Sequence, residues 1–337
     1  MHINNENKLL LDFIQKEYSI KDINSIENYK LGFLSDSFIV GSKNDKYFLK
    51  KYRSRHKDAL DLITKASLYF SKHSIPVIMP IKNSRDEYDF EFQSNKYSLF
   101  PFVKDIICKS RLTNHELESA GKMLAKIHLA GKQCSLENSK RTTQSVEKEF
   151  TLERINKVVE VLNAKVHKNE TDRKFMQMID LYKMMINKYD FDMEKLGLIS
   201  DHLTHGDYHL RNISFDESGN VNHIFDLKCL ISSRFLELAR SISLICFDTT
   251  NCFCDNNFEK TKHYLAGYKS VYPLTKKGLR AGLMGYFIKN FHSIWMEEEY
   301  YLKNNKTVAD LLDRSLYKTK YTSKHFDKIA EKITNLI

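Results

Sequence analysis

The sequence predicts an α+β protein in two parts, a β-rich N-terminal part over residues 1–100 and a larger, mainly helical part over residues 101–337. Short runs of β-branched and aromatic residues dominate the first part, whereas apolar residues recur at helical spacing through the second. A chain of 337 residues with 42% hydrophobic and 28% charged residues can bury a large core.

The N-terminal part begins with an amphipathic helix, LLLDFIQKEY, and then changes to strand periodicity. The stretch LGFLSDSFIVGSKNDKYFLKKY predicts two strands on either side of the turn SKND. Residues 55–73 carry apolar residues at helical spacing, and the prolines of IPVIMP end that helix. Two further strands are predicted at YDFEFQ and YSLFPFV. We therefore expect a small antiparallel sheet with one main helix.

The C-terminal part is predicted to be helical from Thr113 onward, beginning with LTNHELESAGKMLAKIHLAG and continuing in long charged helices over residues 143–190. A β-hairpin interrupts the helices at NISFDESGNVNHIFD, where residues 213–215 and 221–225 flank the turn DESGN. Helices resume at FLELARSISLICF and continue to a basic terminal helix. No Gly/Ser linker separates them, so we expect one compact C-terminal lobe.

The hairpin has a geometric consequence for three polar residues. Asn212 directly precedes its first strand and Asp226 follows its second, so antiparallel pairing brings both side chains to the same open end. Asp207 lies in the loop that leads into that end. Phosphoryl transfer needs a carboxylate to accept the proton of an attacking hydroxyl and oxygen ligands for Mg²⁺, and these residues supply both. The alternative is that Asp and Asn merely favour turns.

HGDYHLRN (205–212) followed by IFDLK resembles the aminoglycoside phosphotransferase and choline kinase superfamily. KMLAKIH, ELARSI, YLAGY…PLT and YFLKKY are similar to other stretches of that superfamily, particularly of its spore-coat-kinase and homoserine-kinase branch. The resemblance implies a two-lobed, protein-kinase-like fold with a hinge near residues 99–104. It also implies ATP bound in the cleft between the lobes, together with Mg²⁺.

The resemblance also assigns roles to individual residues. Asp207 matches the catalytic base, and Asn212 and Asp226 match the Mg²⁺ ligands. Lys50 matches the lysine that contacts the nucleotide phosphates, the alternative being Lys51, which a regular strand directs to the opposite face. The remaining nucleotide-binding candidates are a small-residue loop ahead of the lysine strand and two aromatic residues near the hinge: Ser35, Asp36, Ser37, Phe100 and Phe102.

Three positions depart from the family pattern. The helix over residues 55–73 has no glutamate to pair with the lysine, so Asp58 or Asp61 would serve or the pair is absent. Lys228 stands where relatives often carry Gly, Glu or Asp, and Glu237 replaces the usual aspartate of the D-L-A helix. These departures keep open a catalytically weak, kinase-like binding or scaffold protein.

The acceptor is expected to be a small hydroxylated molecule such as an aminoglycoside, choline or homoserine. Gly206 removes the arginine that protein kinases carry there, and the helix containing Glu237 begins only about ten residues after Asp226. An atypical protein serine/threonine kinase remains the alternative. Three residues of SIWMEEEYY, namely Trp295, Glu298 and Glu299, suggest a pocket for a cationic amine. The alternative is that they divide between core and solvent.

The chain carries a formal charge of +10, but its lysines are spread along the whole sequence and no nucleic-acid-binding motif accompanies them. We therefore expect no nucleic-acid partner. The longest apolar stretches are far shorter than the roughly 20 residues of a membrane helix, and the N-terminus lacks the pattern of a secretory signal. The sequence thus predicts a cytoplasmic protein without a membrane anchor.

Overall fold

A computed structural model describes residues 5–29, 36–52, 60–103, 111–134, 146–247 and 253–337. The chain divides into two compact units. The first comprises Met1–Ile107 with His223–Phe225, and the second comprises Cys108–Asn222 with Asp226–Ile337. The predicted α+β class, with an N-terminal antiparallel sheet and a mainly helical remainder, is confirmed.

The first unit contains a five-stranded antiparallel sheet in the order β1-β2-β3-β5-β4. The strand pairs predicted on either side of SKND and at YDFEFQ and YSLFPFV are present, whereas the edge strand over INSIEN was not predicted because it lacks regular alternation. In chain order the elements are α1 (Asn5–Tyr18), β1 (Ile23–Asn28), β2 (Asp36–Ser42), β3 (Lys46–Tyr52), α2 (Leu60–Lys72), β4 (Phe90–Phe92) and β5 (Asn95–Pro101).

Helix α1 covers one face of this sheet. Its Leu10, Leu11 and Ile14 recur at helical spacing and pack with Leu49 and Leu99 in one buried cluster. Because side chains alternate along a strand, the residues on either side of Leu49 point to the opposite face. The sheet therefore has an apolar face under α1 and a second face on which Lys50 lies.

The rest of the chain, from Asn114 onward, is mainly helical, with two short two-stranded sheets, β6 with β9 and β7 with β8. It belongs to the second unit except for the end of β8, since His223–Phe225 are grouped with the first. None of its described helices, nor any in the first unit, is long and apolar enough to cross a bilayer. Its elements are α3 (Asn114–Lys132), α4 (Lys148–Asn163), α5 (Glu170–Lys188), β6 (His202–Thr204), β7 (Ile213–Phe215), β8 (Val221–Ile224), β9 (Leu230–Ser232), α6 (Arg234–Ile245), α7 (Asp255–Lys269), α8 (Lys276–Phe291), α9 (Trp295–Tyr301) and α10 (Leu312–Thr334).

Helix α3 begins at a capping box and then packs closely along α7. Thr113 accepts a hydrogen bond from the backbone N–H of Glu116, whose side chain accepts one in return from the backbone N–H of Thr113. Further along, Gly121 lies against the carbonyl of Tyr264, and Gly267 lies against the carbonyl of Glu118. The two glycines let the helix backbones approach each other, and this contact fixes α3 in the core of the second unit.

We expect Gly267→Ala to destabilise the protein. A Cβ at this position overlaps the Glu118 carbonyl, a backbone atom that cannot move without shifting α3. The cost should be about 1–3 kcal/mol, because overpacking outweighs the better helix propensity of alanine. Urea unfolding of this variant and of Lys262→Ala, an exposed position on the same helix, measures the difference. Equal stability of the two variants would contradict this account of the α3–α7 contact.

Candidate functional site

The loop that carries Asp207 is held between two short strands. β6 leads into it and pairs with β9 in the register Leu203↔Ile231. The carbonyl of His205 accepts hydrogen bonds from the backbone N–H groups of Lys228 and Cys229, at 2.9 and 3.1 Å. These bonds fix the segment that follows the hairpin against the loop that precedes it.

Gly206 is required by this geometry for two reasons. Its φ of +82° lies in the left-handed region that L side chains rarely adopt. A Cβ there would also lie tightly against the side chains of Lys228 and Leu230. The middle residue of HGD is therefore a glycine on steric grounds, whatever its effect on specificity.

Glu237, on α6, holds the same loop through hydrogen bonds to the loop backbone. Its carboxylate accepts hydrogen bonds from the backbone N–H of His205 at 3.1 Å and of Gly206 at 2.5 Å. His128 of α3 contacts the same carboxylate through Nε2 at 2.9 Å, and its Nδ1 contacts the Tyr268 hydroxyl at 2.8 Å. Burial by itself raises the pKa of Glu237, but the His128 contact and the Gly206 N–H outweigh burial and lower it. The Glu237 carboxylate is thus ionised, and its hydrogen bonds hold the loop in place.

Asp207 is buried, and cations contact both of its carboxylate oxygens. Arg240 Nη2 lies 2.5 Å from Oδ1 and Lys228 Nζ lies 2.5 Å from Oδ2. Burial raises the pKa of this carboxyl, but the charges of Arg240 and Lys228 prevail and hold the pKa well below its usual range. Asp207 is therefore ionised at any physiological pH.

His209 Nε2 lies 3.6 Å from Asp207 Oδ1 but does not add a third positive charge there. Burial, with a smaller contribution from Arg240, lowers the pKa of His209 to about 4, so its ring is neutral near pH 7. Its Nδ1 accepts a hydrogen bond from the backbone N–H of Arg211. The imidazole serves mainly to shape the loop.

Asn212 is held in a defined orientation at the end of a 3-10 helix over Leu210–Asn212. Its Nδ2 donates a hydrogen bond to the Asp207 carbonyl at 2.9 Å. Because the amide nitrogen is used in this way, the Oδ1 atom is the one left to face a cation. β7 begins at the next residue, as predicted.

Asp226 follows β8 on an exposed turn with φ of +51°. β7 and β8 pair in a two-stranded sheet, and its turn is closed by a hydrogen bond from the backbone N–H of Asp216 to the Asn220 carbonyl. The predicted hairpin is thus present, with Asn212 just before it and Asp226 just after it. An asparagine oxygen and a carboxylate are hard donors of the kind that Mg²⁺ prefers. The ligand roles of the two residues stay predictions.

In the first unit, Lys50 shares one face of the sheet with Ser37 and Phe100. Ser37 and Lys50 are directly paired across β2 and β3, and Lys50 is paired with Ser98 of β5, two residues before Phe100. Asp36 is paired with Lys51, so by alternation these two point to the face that α1 covers. This register favours Lys50 over Lys51 as the lysine of a nucleotide site.

The structure gives less information on the other residues predicted near the nucleotide. Phe102 lies beyond the end of β5, where Lys46 Nζ is 5.9 Å from the centre of its ring. Ser35 lies outside the described residues, as does Asp58, one of the two acidic alternatives for pairing with Lys50. The other alternative, Asp61, forms an exposed ion pair with Lys65 at 2.7 Å.

Two acidic residues of α9, Glu298 and Glu299, are already paired with protein cations. Arg154 makes a bidentate contact with Glu298, at 2.8 and 2.6 Å, and Lys303 contacts Glu299 at 2.6 Å. Trp295 is half-buried at the start of the helix. A cationic amine would have to displace protein cations from both carboxylates, so the geometry weighs against the predicted amine pocket.

A surface cavity of about 790 Å³ lies elsewhere in the second unit, beside α4 and the segment before β6. Its lining includes Asp190, Asp192 and His292, but none of the residues that the sequence predicts for the site. The cavity therefore gives no support to an acceptor position at Asp207.

Sequence reasoning missed the two cations that surround Asp207. Lys228 stands out in the sequence only as a departure from the family pattern, and Arg240 is not among the predicted residues, although it follows Glu237 by three residues in ELARSI. Residues three apart on a helix share a face, which was the available signal. The contact itself depends on how α6 packs against the loop, which spacing alone does not reveal.

A family model described as the phosphotransferase enzyme family matches residues 25–251, more than half of the chain. No curated protein matches the sequence significantly. Several solved structures are similar to it throughout. One is a spectinomycin phosphotransferase in complex with ADP and spectinomycin, with 15% identity, coverage of 98% of each chain and a TM-score of 0.61.

Two further structures have comparable similarity. An amicoumacin kinase in complex with AMP-PNP and Ca²⁺ is 13% identical, with coverage of 92% of this chain and 93% of that chain and a TM-score of 0.59. A microcompartment-associated aminopropanol kinase is 13% identical, with coverage of 98% and 100% and a TM-score of 0.61. At these identities the likeness establishes the fold.

We expect Glu237→Gln to loosen the Asp207 loop. The amide offers one acceptor where three donors now converge, so at least one buried N–H loses its partner. The cost should be about 2–5 kcal/mol in urea unfolding. Glu118→Gln is the matched control, because Glu118 contacts His263 at the surface and its loss should have little effect. Similar losses in both variants would show that Glu237 does not anchor the loop.

We expect Glu297, also on α9, to make stability depend on pH. Its carboxyl is buried with no hydrogen-bond partner among the described residues, and burial raises its pKa to about 8. The folded protein thus holds a proton that the unfolded chain releases above about pH 4.5, and stability falls as pH rises from about 5 to 8. The fall should reach up to about 4 kcal/mol.

Thermal unfolding of the native protein and of Glu297→Gln across this pH range measures the contribution. The native protein should lose stability relative to the variant as pH increases, because the neutral amide does not titrate. Parallel curves would show that Glu297 is not protonated in the folded state.

Proposed function

The chain belongs to the phosphotransferase enzyme family, and on that basis we propose that it transfers the γ-phosphoryl group of ATP to a hydroxyl of a small molecule. The observation that carries the proposal is the buried, ionised carboxylate of Asp207, held five residues before an oriented Asn212. An aspartate that only stabilises a turn does not have to be buried or paired with cations. Asp207 is both, and it lies in a loop whose backbone is fixed by Glu237.

Asp207 would orient the acceptor and take its proton. Each carboxylate oxygen has lone pairs beyond the one used by Arg240 or Lys228, so an acceptor hydroxyl can still donate a hydrogen bond. The hydroxyl oxygen forms a bond to the γ-phosphorus, and the bond from that phosphorus to the β–γ bridging oxygen breaks. ADP leaves with the electron pair, and the hydroxyl proton passes to Asp207. The low pKa of Asp207 suits a late proton transfer, once the new P–O bond has formed.

Asn212 Oδ1 and the Asp226 carboxylate would hold Mg²⁺. The hydrogen bond from Asn212 Nδ2 to the Asp207 carbonyl leaves Asn212 Oδ1 as the atom that can accept a cation, and Asp226 is exposed, so both side chains fit a hard cation. A bound Mg²⁺ would supply positive charge that offsets the negative charge of the nucleotide phosphates. The protein's own part is to orient the Asn212 amide through its Nδ2 hydrogen bond.

Lys50 would supply positive charge to the α- and β-phosphates. It lies on the sheet face away from α1, alongside Ser37, whose hydroxyl is a further donor for a phosphate oxygen. Phe100, on the same face, and Phe102 offer aromatic surface for the adenine ring. Ser35 and Asp36 complete the proposed set ahead of the lysine strand.

One observation favours a second candidate, a kinase-like protein that binds nucleotide with little turnover. Lys228 contacts the Asp207 oxygen that Arg240 leaves open, so both oxygens are in ion pairs. Binding of Mg²⁺–ATP without acceptor-dependent ADP formation would distinguish this candidate from an enzyme.

The deciding experiment measures ADP formation from ATP and Mg²⁺ with a panel of aminoglycosides, choline, homoserine and related alcohols. Asp207→Asn should lower acceptor-dependent turnover roughly 10²–10⁴-fold, because the amide cannot accept the proton. Asp327→Asn, at an exposed ion pair with Arg280, is the matched control and should leave turnover unchanged. Equal activity of Asp207→Asn and the native enzyme would reject Asp207 as the base.

A further inference from the structure

Lys228 combines a fixed backbone with a side chain that can move. Its backbone N–H donates a hydrogen bond to the His205 carbonyl at 2.9 Å, and its Cβ lies close to Gly206. Beyond the Cβ, a flexible stem ends in an ammonium group with three rotatable donors. Nζ contacts Asp207 Oδ2 at 2.5 Å, yet the side chain is 46% exposed. The ammonium group can therefore turn to a second partner without a shift of the backbone.

Arg240, the other cation that contacts Asp207, is more constrained. Its side chain is 34% exposed, and Nη2 contacts Asp207 Oδ1 at 2.5 Å. Nη1 is buried and has no hydrogen-bond partner in the part of the chain that the structure describes, so it offers no donor to a molecule in solvent. Arg240 thus keeps a positive charge on Asp207 even when the ammonium group of Lys228 turns away.

The proposed reaction brings the γ-phosphate close to Asp207. The acceptor hydroxyl donates to the Asp207 carboxylate while its oxygen attacks the γ-phosphorus, so little more than one oxygen atom separates carboxylate and phosphate. Two anions at such a distance repel each other strongly unless a cation contacts them both. Asp226, two residues before Lys228, is a second carboxylate of this segment and adds to the repulsion unless a cation is bound to it. The lysine proposed for the other phosphates, Lys50, is assigned to the α- and β-phosphates.

We propose that Lys228 is a catalytic residue that binds the γ-phosphate of ATP, and that its ammonium group moves there from Asp207 Oδ2 when the nucleotide binds. This inference rests on the proposed phosphoryl transfer at Asp207. The vacated carboxylate oxygen then accepts the hydrogen bond from the acceptor hydroxyl. Lys228 stays protonated and forms no covalent bond, and its charge-assisted hydrogen bonds stabilise the phosphoryl oxygens during transfer.

The same contact has the opposite consequence if Lys228 stays on Asp207 after the nucleotide binds. It then occupies the oxygen that the acceptor needs, as in the protein with little turnover described above. A Lys228 side chain that stays in place acts on the γ-phosphate only indirectly, by offsetting the charge of Asp207. A direct contact and this indirect effect are separated by removing the Asp207 charge.

Calorimetry with Mg²⁺–AMP-PNP and Mg²⁺–ADP measures the contact, because the two nucleotides differ by the γ-phosphate. Lys228→Gln should weaken AMP-PNP binding roughly tenfold or more, the loss of hydrogen bonds between charged groups, and change ADP binding less than about twofold. Lys228→Arg keeps the charge and should bind AMP-PNP within about threefold of the native protein. Lys332→Gln is the matched control, with 48% side-chain exposure and an aspartate partner on α7, and should change neither.

The decisive comparison is made in the Asp207→Asn background. This substitution removes the carboxylate charge that Lys228 offsets and nearly preserves the shape of the side chain. A direct contact predicts that adding Lys228→Gln still weakens AMP-PNP binding roughly tenfold relative to Asp207→Asn alone. An indirect effect predicts that the loss disappears.

The outcomes separate this inference from the proposed function. If the native protein binds both nucleotides, the γ-phosphate contact is overturned when Lys228→Gln affects both equally, affects neither, or loses its effect in the Asp207→Asn background. The proposed transfer at Asp207 would stand in each of these cases. Failure of the native protein to bind either nucleotide would instead overturn the proposed function, and this inference with it. Native-like ADP binding by Lys228→Gln also shows that the variant is folded.

Discussion

The carboxylate of Glu237 is the interaction on which the geometry of the site depends. It lies in the core of the second unit, where a lone carboxylate would be protonated, and remains ionised because donors from two directions converge on it. His128 approaches from α3, and the backbone N–H groups of His205 and Gly206 approach from the loop. A helix, a loop and a second helix are thus tied together through one side chain.

Asp207 lies in the loop that Glu237 holds, and its ionisation depends on two cations that contact it. Its low pKa comes from Arg240 and Lys228, which outweigh the effect of burial. Arg240 stands three residues after Glu237 on α6, so the helix that anchors the loop also supplies a cation to the carboxylate that the loop presents. A shift of α6 would therefore change both the position of the loop and the charge next to Asp207.

The ion pairs of the structure bear on which acceptors the site could bind. The family model and the similar structures establish a phosphotransferase fold and leave the acceptor open. The acidic segment on α9 pointed towards an amine, yet Glu298 and Glu299 are bonded to protein cations. Both carboxylate oxygens of Asp207 are likewise in ion pairs, with Arg240 and Lys228, and such pairs can be seen only in the three-dimensional structure.

Local sequence determined much of the secondary structure and the order of the candidate site residues. Alternation predicted the strands that carry Lys50, and the turn residues of DESGN predicted the hairpin between Asn212 and Asp226. Such features follow from backbone preferences and from periodicity within a few residues. The irregular edge strand β1 was missed because its formation depends on hydrogen bonds to β2.

Only the tertiary structure decided which charges meet. His128 reaches Glu237 across 109 positions of the chain, and Arg240 reaches Asp207 across 33. The sequence by itself determined that an aspartate and an asparagine stand at the spacing that the family resemblance associates with phosphoryl transfer. Packing decided the rest, because the protonation state of Asp207 and the charge that surrounds it depend on burial and on partners distant in sequence.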